Sequence, residues 1–353
     1  MRKRKINYKL ILTITAIIIL LILIVYKPKN EETNKLEELG YNSEEIELIN
    51  NLNETNITYI TDSQYNELYI DLIQNTDFIE DNFEKYIEYI NQNNCSIDDA
   101  VYLVNNNIDK EYNENLVNLI KEKYYISSNL DRYYNYLINY PNLSTNAIIS
   151  YINSNLDYDY YSTDYSADLS KDILVLANKY YVLSSDYEPS DLYNITSTYG
   201  GNGQYIRKEA YDNYIKLYND ITSAGLTLVV RSSYRSYSYQ STLYNNYVAT
   251  DGTTLTDTYS ARPGYSEHQT GLAIDVGNSY TSSLGDFEYT EEFVWMQENA
   301  YKYGFILRYP EDKTLITGYM YEPWHYRYVG VDVATYIHEN NITFDEYYEY
   351  FIK

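Results

Sequence analysis

Cysteine is almost absent from this sequence. Cys95 stands alone in 353 residues, which excludes an internal disulfide. Basic residues are also short: 26 Lys and Arg face 51 Asp and Glu, leaving a formal net charge of -25. That balance excludes ordinary nucleic-acid binding, which needs a basic face for phosphates, and disfavours docking of the main body on an anionic membrane surface. Trp (2) and Phe (7) are sparse, yet there are 50 Tyr. With many Asn and Ile, this reads as the compositional drift of an AT-rich genome and not as a carbohydrate-stacking device. Histidine is as rare as Met, with three in all, so any that cluster with carboxylates stand out. The length suggests two domains rather than one.

The N-terminus opens with Arg-Lys-Arg-Lys at residues 2–5. After Lys9, an apolar run from Leu10 to Tyr26 is broken only by Thr13 and Thr15. Seventeen residues at ~1.5 Å each reach roughly 26 Å, near the lower limit for crossing a bilayer. The basic flank predicts a cytoplasmic N-terminus and an external body. No Ala-x-Ala-like cleavage site follows, Val25-Tyr26-Lys27-Pro28 being a poor one, and no cysteine is placed for a lipid anchor. The expectation is a cytoplasmic tail and uncleaved transmembrane anchor over residues 1–27. The chain is then a single-pass protein of the cell membrane with an extracellular body.

Residues 28–165 read as a polar, all-α region ending in a linker. Apolar residues recur at spacings of three and four, as at Ile46, Ile49 and Leu52. An internal echo is present: Ser96-Ile-Asp-Asp-Ala-Val-Tyr-Leu-Val-Asn105 resembles Ser144-Thr-Asn-Ala-Ile-Ile-Ser-Tyr-Ile-Asn153. A serine ahead of such a run is an N-cap signal, so helix starts are expected to repeat every ~50 residues. Residues 154–172, rich in Asp, Tyr and Ser, read as the linker. What partner this region takes is left open.

From residue 170 to 353 helices and strands mix without regular βαβ alternation, which argues for an α+β fold. Tyr205 to Ala224 reads as an amphipathic helix with Ala210, Tyr214, Leu217 and Ile221 on one side and Gly225 after it. Leu226 to Val230 reads as a strand running into polar Arg231-Ser-Ser-Tyr-Arg-Ser236. Glu291 to Tyr303 reads as a helix ended by Gly304, and Phe305 to Arg308 as a further strand. Thr343 with Glu346 makes a capping box for a last helix.

Two segments carry the chemistry. Pro263-Gly-Tyr-Ser-Glu-His-Gln-Thr-Gly-Leu-Ala-Ile-Asp275 holds one histidine, and Glu322-Pro-Trp-His325 holds another. His268 follows a Pro-Gly turn in a polar loop, not an apolar helix face. Asp275 lies on a strand-like run, where its side chain points with Ala273 and away from Leu272 and Ile274. Two imidazoles and a carboxylate suit a catalytic zinc with an open position for water, so His268, Asp275 and His325 are the candidate ligands. Glu322 is the candidate base for that water. Arg235 is the candidate cation, for a substrate carboxylate or for the oxyanion; Arg231 ranks below it. Gln240 and Ser266 either hydrogen-bond substrate or hold loops. His338, beside Glu339 and Asn340, reads as a surface residue.

The order of these motifs resembles the VanY-type D-alanyl-D-alanine carboxypeptidase family. It runs Ser233-Tyr-Arg-Ser236 with Gln240, then the His268 segment, then Tyr303-Gly-Phe-Ile-Leu-Arg-Tyr-Pro310, then Glu322-Pro-Trp-His-Tyr-Arg-Tyr-Val-Gly330. The likeness covers roughly residues 172–353 and is densest from Val229 to Gly330. It implies a zinc peptidase domain with a small antiparallel sheet and flanking helices, acting on peptidoglycan stem peptides. The family's metal ligands fall on His268, Asp275 and His325, its catalytic acid on Glu322 and its substrate-binding arginine on Arg235. The family often has Gly where this chain has Ser233, which bears on local loop shape. D,D-carboxypeptidase, L,D-carboxypeptidase and endopeptidase activities share this ligand set, and a non-catalytic wall-binding module is the alternative outside enzymes.

Overall fold

The computed structural model describes residues 31–162 and 165–353. The expected anchor at residues 1–27 lies outside the described residues; among them, no helix is long and apolar enough to cross a membrane. The chain divides into two compact units between Val117 and Asn118.

Among the described residues the first unit is all-helical. Helices Glu31–Leu39, Ser43–Ile49, Glu54–Thr61, Glu67–Gln74, Phe83–Asn93 and Ile97–Asn105 follow one another through short turns. They bury Leu36, Ile49, Ile60, Leu72, Phe83 and Tyr86 in one apolar core. Asparagine and serine start four of these helices: Asn42, Asn53, Asn66 and Ser96 each accept a backbone N–H of the first turn, satisfying donors that the helix itself cannot.

The internal echo has a structural counterpart. In this unit Tyr86 donates to Asn105 Oδ1, Asn82 donates to the same oxygen (3.1 Å), and Asn105 Nδ2 donates to Asp77 O (2.8 Å). In the second unit Tyr133 donates to Asn153 Oδ1, Asn129 to the same oxygen (3.1 Å), and Asn153 Nδ2 to Tyr124 O (2.9 Å). Ser144 caps Thr145–Asn153 as Ser96 caps Ile97–Asn105. An asparagine at the end of the second helix, buried at Asn153 and half-buried at Asn105, meets the preceding loop with its amide and fixes the same helix–turn–helix geometry twice.

The second unit begins within the stretch read from sequence as the helical region, and its helices Leu130–Asn139 and Thr145–Asn153 pack on the rest of it. Ser150 Oγ donates to Glu346 (2.6 Å) and Asn155 Nδ2 to Glu349 (3.1 Å), so the final helix, Phe344–Phe351, accepts polar contacts from the segment before residue 156. Its start is the expected capping box of Thr343 and Glu346.

Strands β1 (Tyr165–Ser166) and β2 (Tyr181–Val182) pair in parallel. Strands β3 (Leu192–Ile195) and β4 (Gln204–Arg207) form a hairpin. The main sheet comprises β5 (Val229–Ser232), β6 (Ala273–Gly277), β7 (Phe305–Leu307) and β8 (His325–Tyr328), antiparallel in the order β5-β6-β8-β7. The helix expected from Tyr205 begins at Lys208 instead, because Tyr205 to Arg207 is taken by the hairpin. Its buried face is Ala210, Tyr214, Leu217 and Ile221, as the periodicity predicts. The strand expected from Leu226 starts three residues later, at Val229, where pairing with β6 begins. The helix at Glu291 tightens to a 3-10 turn at Ala300 and ends at Gly304 in the left-handed conformation.

Candidate metal centre

Sheet register builds the site. Asp275 on β6 stands directly opposite His325 on β8. Cross-strand neighbours have side chains ~5 Å apart on one face, so two distant motifs are brought together by backbone pairing alone. Asp275 also faces Ser232 on β5, across an irregularity between Val230 and Ser232. His268 arrives from a 3-10 turn, Glu267–Thr270, that leads into β6.

Gly271 makes that lead-in possible. It sits at φ 69°, and a Cβ there would lie 2.9 Å from Leu192 Cδ2 and 3.1 Å from Arg207 Cγ. A left-handed L-residue costs about 1–2 kcal/mol. Gly271→Ala is therefore expected to destabilise the chain by about that amount in chemical unfolding; an unchanged midpoint would show that the turn relaxes without strain.

The candidate ligands converge. Donor atoms of His268, Asp275 and His325 all lie within 4.8 Å of one another, and all three residues are buried. His268 Nε2 is 3.3 Å from Asp275 Oδ2, and His325 Nδ1 is 3.0 Å from Asp275 Oδ1. The two rings are nearly perpendicular, with centroids 4.9 Å apart. His268 Nδ1 lies 2.6 Å from Ser233 O, which occupies that nitrogen with a proton and leaves Nε2 as the donor. Among the described residues His268 Nε2 and Asp275 Oδ1 have no hydrogen-bond partner although both are buried. Buried polar atoms without partners are rare, and soft and hard donors aimed at one point fit a tetrahedral zinc with one position open.

Electrostatics agree with this reading at His268 and Asp275. Burial, reinforced by the Arg235 cation, pulls the His268 pKa down to about 4, so the ring is neutral and able to ligate. Burial opposes ionisation of Asp275, but His268 and His325 hold its carboxyl well below the usual range. Burial also pushes Glu322 up to about 8. His325 is brought up to about 9, since Asp275 and Glu267 outweigh its burial. A divalent cation among these groups would favour the neutral imidazole and the ionised carboxylates.

Glu322 stands on the loop before β8, with Oε2 3.6 Å from His325 Nδ1. Its backbone is held at both sides: Glu322 N donates to Tyr309 O (3.0 Å), and Glu322 O accepts from His325 N (3.1 Å). Arg235 is in the same cleft, its Nη2 3.7 Å from Asp275 Oδ2. Its Nη1 donates to Gln240 Oε1 (2.9 Å), while its Nε is buried without a hydrogen-bond partner among the described residues. Arg231, by contrast, is committed to the carbonyls of Asn278 (2.7 Å) and Thr281 (3.1 Å). Gln240 also donates to Ala261 O (2.7 Å), so it braces Arg235 between two segments. Ser266 lines the cleft, which encloses about 450 Å³. Ser233 is buried; its hydroxyl accepts from Tyr205 N (2.8 Å) and donates to Gln204 (2.8 Å), tying the Arg235 loop to β4. A larger cavity of about 700 Å³, floored by Met296, Phe305 and Tyr326, contains none of these residues. His338 is exposed and stacks on Tyr301 at 3.9 Å.

Sequence patterning does not single out Glu267, although it adjoins His268. Its side chain is fully buried, with Oε1 accepting from Arg308 Nε (2.8 Å) and Arg327 Nη1 (3.1 Å) and Oε2 3.8 Å from His325 Nε2. Buried Arg308 also grips Asp345 of the last helix at 2.6 and 3.2 Å. The available signal is two arginines, Arg308 and Arg327, inside otherwise apolar strand text, which is where a buried acid has to be matched.

Comparison with known proteins gives a consistent result. A family model described as VanY, D-alanyl-D-alanine carboxypeptidase, matches residues 203–331. The chain is 43% identical over 189 residues to the putative carboxypeptidase YodJ of Bacillus subtilis, covering 51% of this chain and 68% of that protein. It is 39% identical over 186 residues to a D-alanyl-D-alanine carboxypeptidase of Enterococcus faecium, covering 50% of this chain and 57% of that protein. Among solved structures, the LdcB LD-carboxypeptidase aligns at 42% identity over 51% of this chain and 87% of its own, with a TM-score of 0.46. A vancomycin-resistance D,D-pentapeptidase VanY solved in complex with Zn(II) aligns at 34% identity over 49% of this chain and 97% of its own, with a TM-score of 0.44.

Proposed function

Because the chain belongs to the VanY D-alanyl-D-alanine carboxypeptidase family, we propose that it is a zinc-dependent D-alanyl-D-alanine carboxypeptidase that removes the terminal D-alanine from peptidoglycan stem peptides. The observation that supports this most is the convergence of His268, Asp275 and His325 beside a further buried acid, Glu322. His268, Asp275 and His325 hold the ion. Zinc bound there supplies Lewis acidity toward water and the scissile carbonyl.

The chain's own groups do the rest. Glu322 accepts the proton of the attacking water and returns it to the leaving amine. The guanidinium of Arg235 carries donors that neither Gln240 nor Asp275 uses up, and these take the substrate's carboxylate or the developing oxyanion. The buried walls around Glu322 exclude bulk water and strengthen both interactions. The basic flank and apolar run at the N-terminus support a single-pass anchor that keeps this site on the outer face of the membrane, where peptidoglycan is found.

The test uses the full-length chain in detergent, loaded with zinc, with purified pentapeptide and tetrapeptide muropeptides and product masses as the readout. Loss of one alanine from the pentapeptide alone is the expected result. Loss from the tetrapeptide alone moves the activity to the L,D class. Cleavage of neither, with zinc bound, overturns the carboxypeptidase reading in favour of a cross-link endopeptidase or a wall-binding module.

A further inference from the structure

Glu267 and His325 each present to the other one atom that has no hydrogen-bond partner among the described residues. Glu267 Oε1 is taken by both arginines, which leaves Oε2 with no hydrogen-bond partner among the described residues. His325 Nδ1 faces Asp275, and among the same described residues its Nε2 has no hydrogen-bond partner either. These two orphans are 3.8 Å apart, further than a hydrogen bond, in a site closed to solvent at both residues: Glu267 is 1% and His325 4% exposed. A buried N–H and a buried carboxylate oxygen left apart would each carry a desolvation cost, and pairing them removes both.

We propose that Glu267 is the positioning residue of the metal centre: its Oε2 receives the Nε2–H of His325 and so turns Nδ1 toward Asp275 and the ion. The inference rests on the zinc reading above. The carboxylate keeps its place because Arg308 and Arg327 grip its other oxygen. Arg308 is in turn forked onto Asp345, and Asn178 Nδ2 donates to Asp345 at 2.7 Å. Two acids and two guanidiniums cancel in charge, so the cluster can be buried whole. The last helix thus braces a ligand on β8, and the two histidines bind through opposite nitrogens: His268 through Nε2 and His325 through Nδ1.

Three histidines make this directly measurable, with exposed His338 as the internal reference. Long-range proton–nitrogen correlation on the zinc-loaded, nitrogen-15-labelled full-length chain should show the proton on Nδ1 of His268 and on Nε2 of His325. Zinc bound with the proton on Nδ1 of His325 overturns the inference alone. A chain that binds no zinc overturns the metal reading and this inference with it. Glu267→Gln supplies the second measurement. Both arginines are donors and claim the amide oxygen, so the amide NH₂ is left to face the His325 N–H. Zinc affinity, by chelator competition, is expected to fall ~10–100-fold, the usual loss on removing such an outer partner. An affinity within twofold of the parent, in a variant whose metal-free circular dichroism is unchanged, overturns the role. If the variant does not fold, the wild-type proton positions still decide.

Discussion

Glu322→Gln is expected to keep zinc stoichiometric and to lower kcat on a pentapeptide by ~10²–10⁴-fold, the range a positioned general base contributes. The substitution is isosteric and its site is buried, with the backbone held on both sides by Tyr309 O and His325 N. Geometry should therefore survive while the proton acceptor is lost. The neutral amide also relieves the burial that pushes the Glu322 carboxyl up to about 8 in the absence of an ion, so metal-free stability should not fall. Two quantities separate the possible results. Zinc content measured with kcat isolates the proton step from ligand loss, and a pentapeptide KM within a few-fold of the parent isolates it from binding. A variant with full kcat would remove Glu322 from the mechanism and leave the base to be sought elsewhere in the cleft.

Arg308→Met should give the largest loss of stability. Arg308 is among the largest fully buried side chains and is held by Glu267 at 2.8 Å and by Asp345 at 2.6 Å. Removing one partner from a buried ion cluster leaves uncompensated charge in the interior, which costs about 3–5 kcal/mol. Here two carboxylates lose their shared cation: Glu267 retains Arg327, and Asp345 retains only the amide of Asn178 among the contacts described above. Chemical unfolding of the metal-free protein measures the loss free of any change in zinc binding. A change below about 1 kcal/mol would mean that the cluster contributes little net stability, as is common where the desolvation of an ion pair matches its attraction. Pairing Arg308→Met with Asp345→Asn then tests the coupling: if the two act through one contact, the double variant is less destabilised than the separate losses imply.

Much of the site is legible in the amino-acid order. The histidines are so few that two of them in polar, carboxylate-bearing segments point to a metal, and Arg235 stands out at the polar end of a strand. The buried face of Lys208–Ser223, the N-caps Ser96 and Ser144, and the Thr343–Glu346 box follow from spacing and residue type. These features are local: a period of 3.6, or a side-chain oxygen three residues before an N–H, is complete within one turn of chain. The start of the helix at Lys208 is not legible in this way, because Tyr205 fits an amphipathic face and a hairpin strand equally well, and only pairing with β3 chooses between them.

The placement of Glu267 shows where local reading stops. Next to a candidate ligand and in a polar motif, it looks solvated, yet it is buried with partners 41 and 60 residues away. Gln240 likewise looks free to meet substrate, and in the fold it joins Arg235 to Ala261. By itself the sequence determined the donor types, their order, the helical repeat and the mixed fold of the catalytic half, because each follows from chemistry or periodicity carried in a few consecutive residues. Only the tertiary structure decided that Asp275 faces His325, that Glu267 turns inward to the same imidazole, and that the last helix closes the charge around it. Those relations depend on strand register and on which buried charges find each other, and both are settled by packing over long separations in the chain.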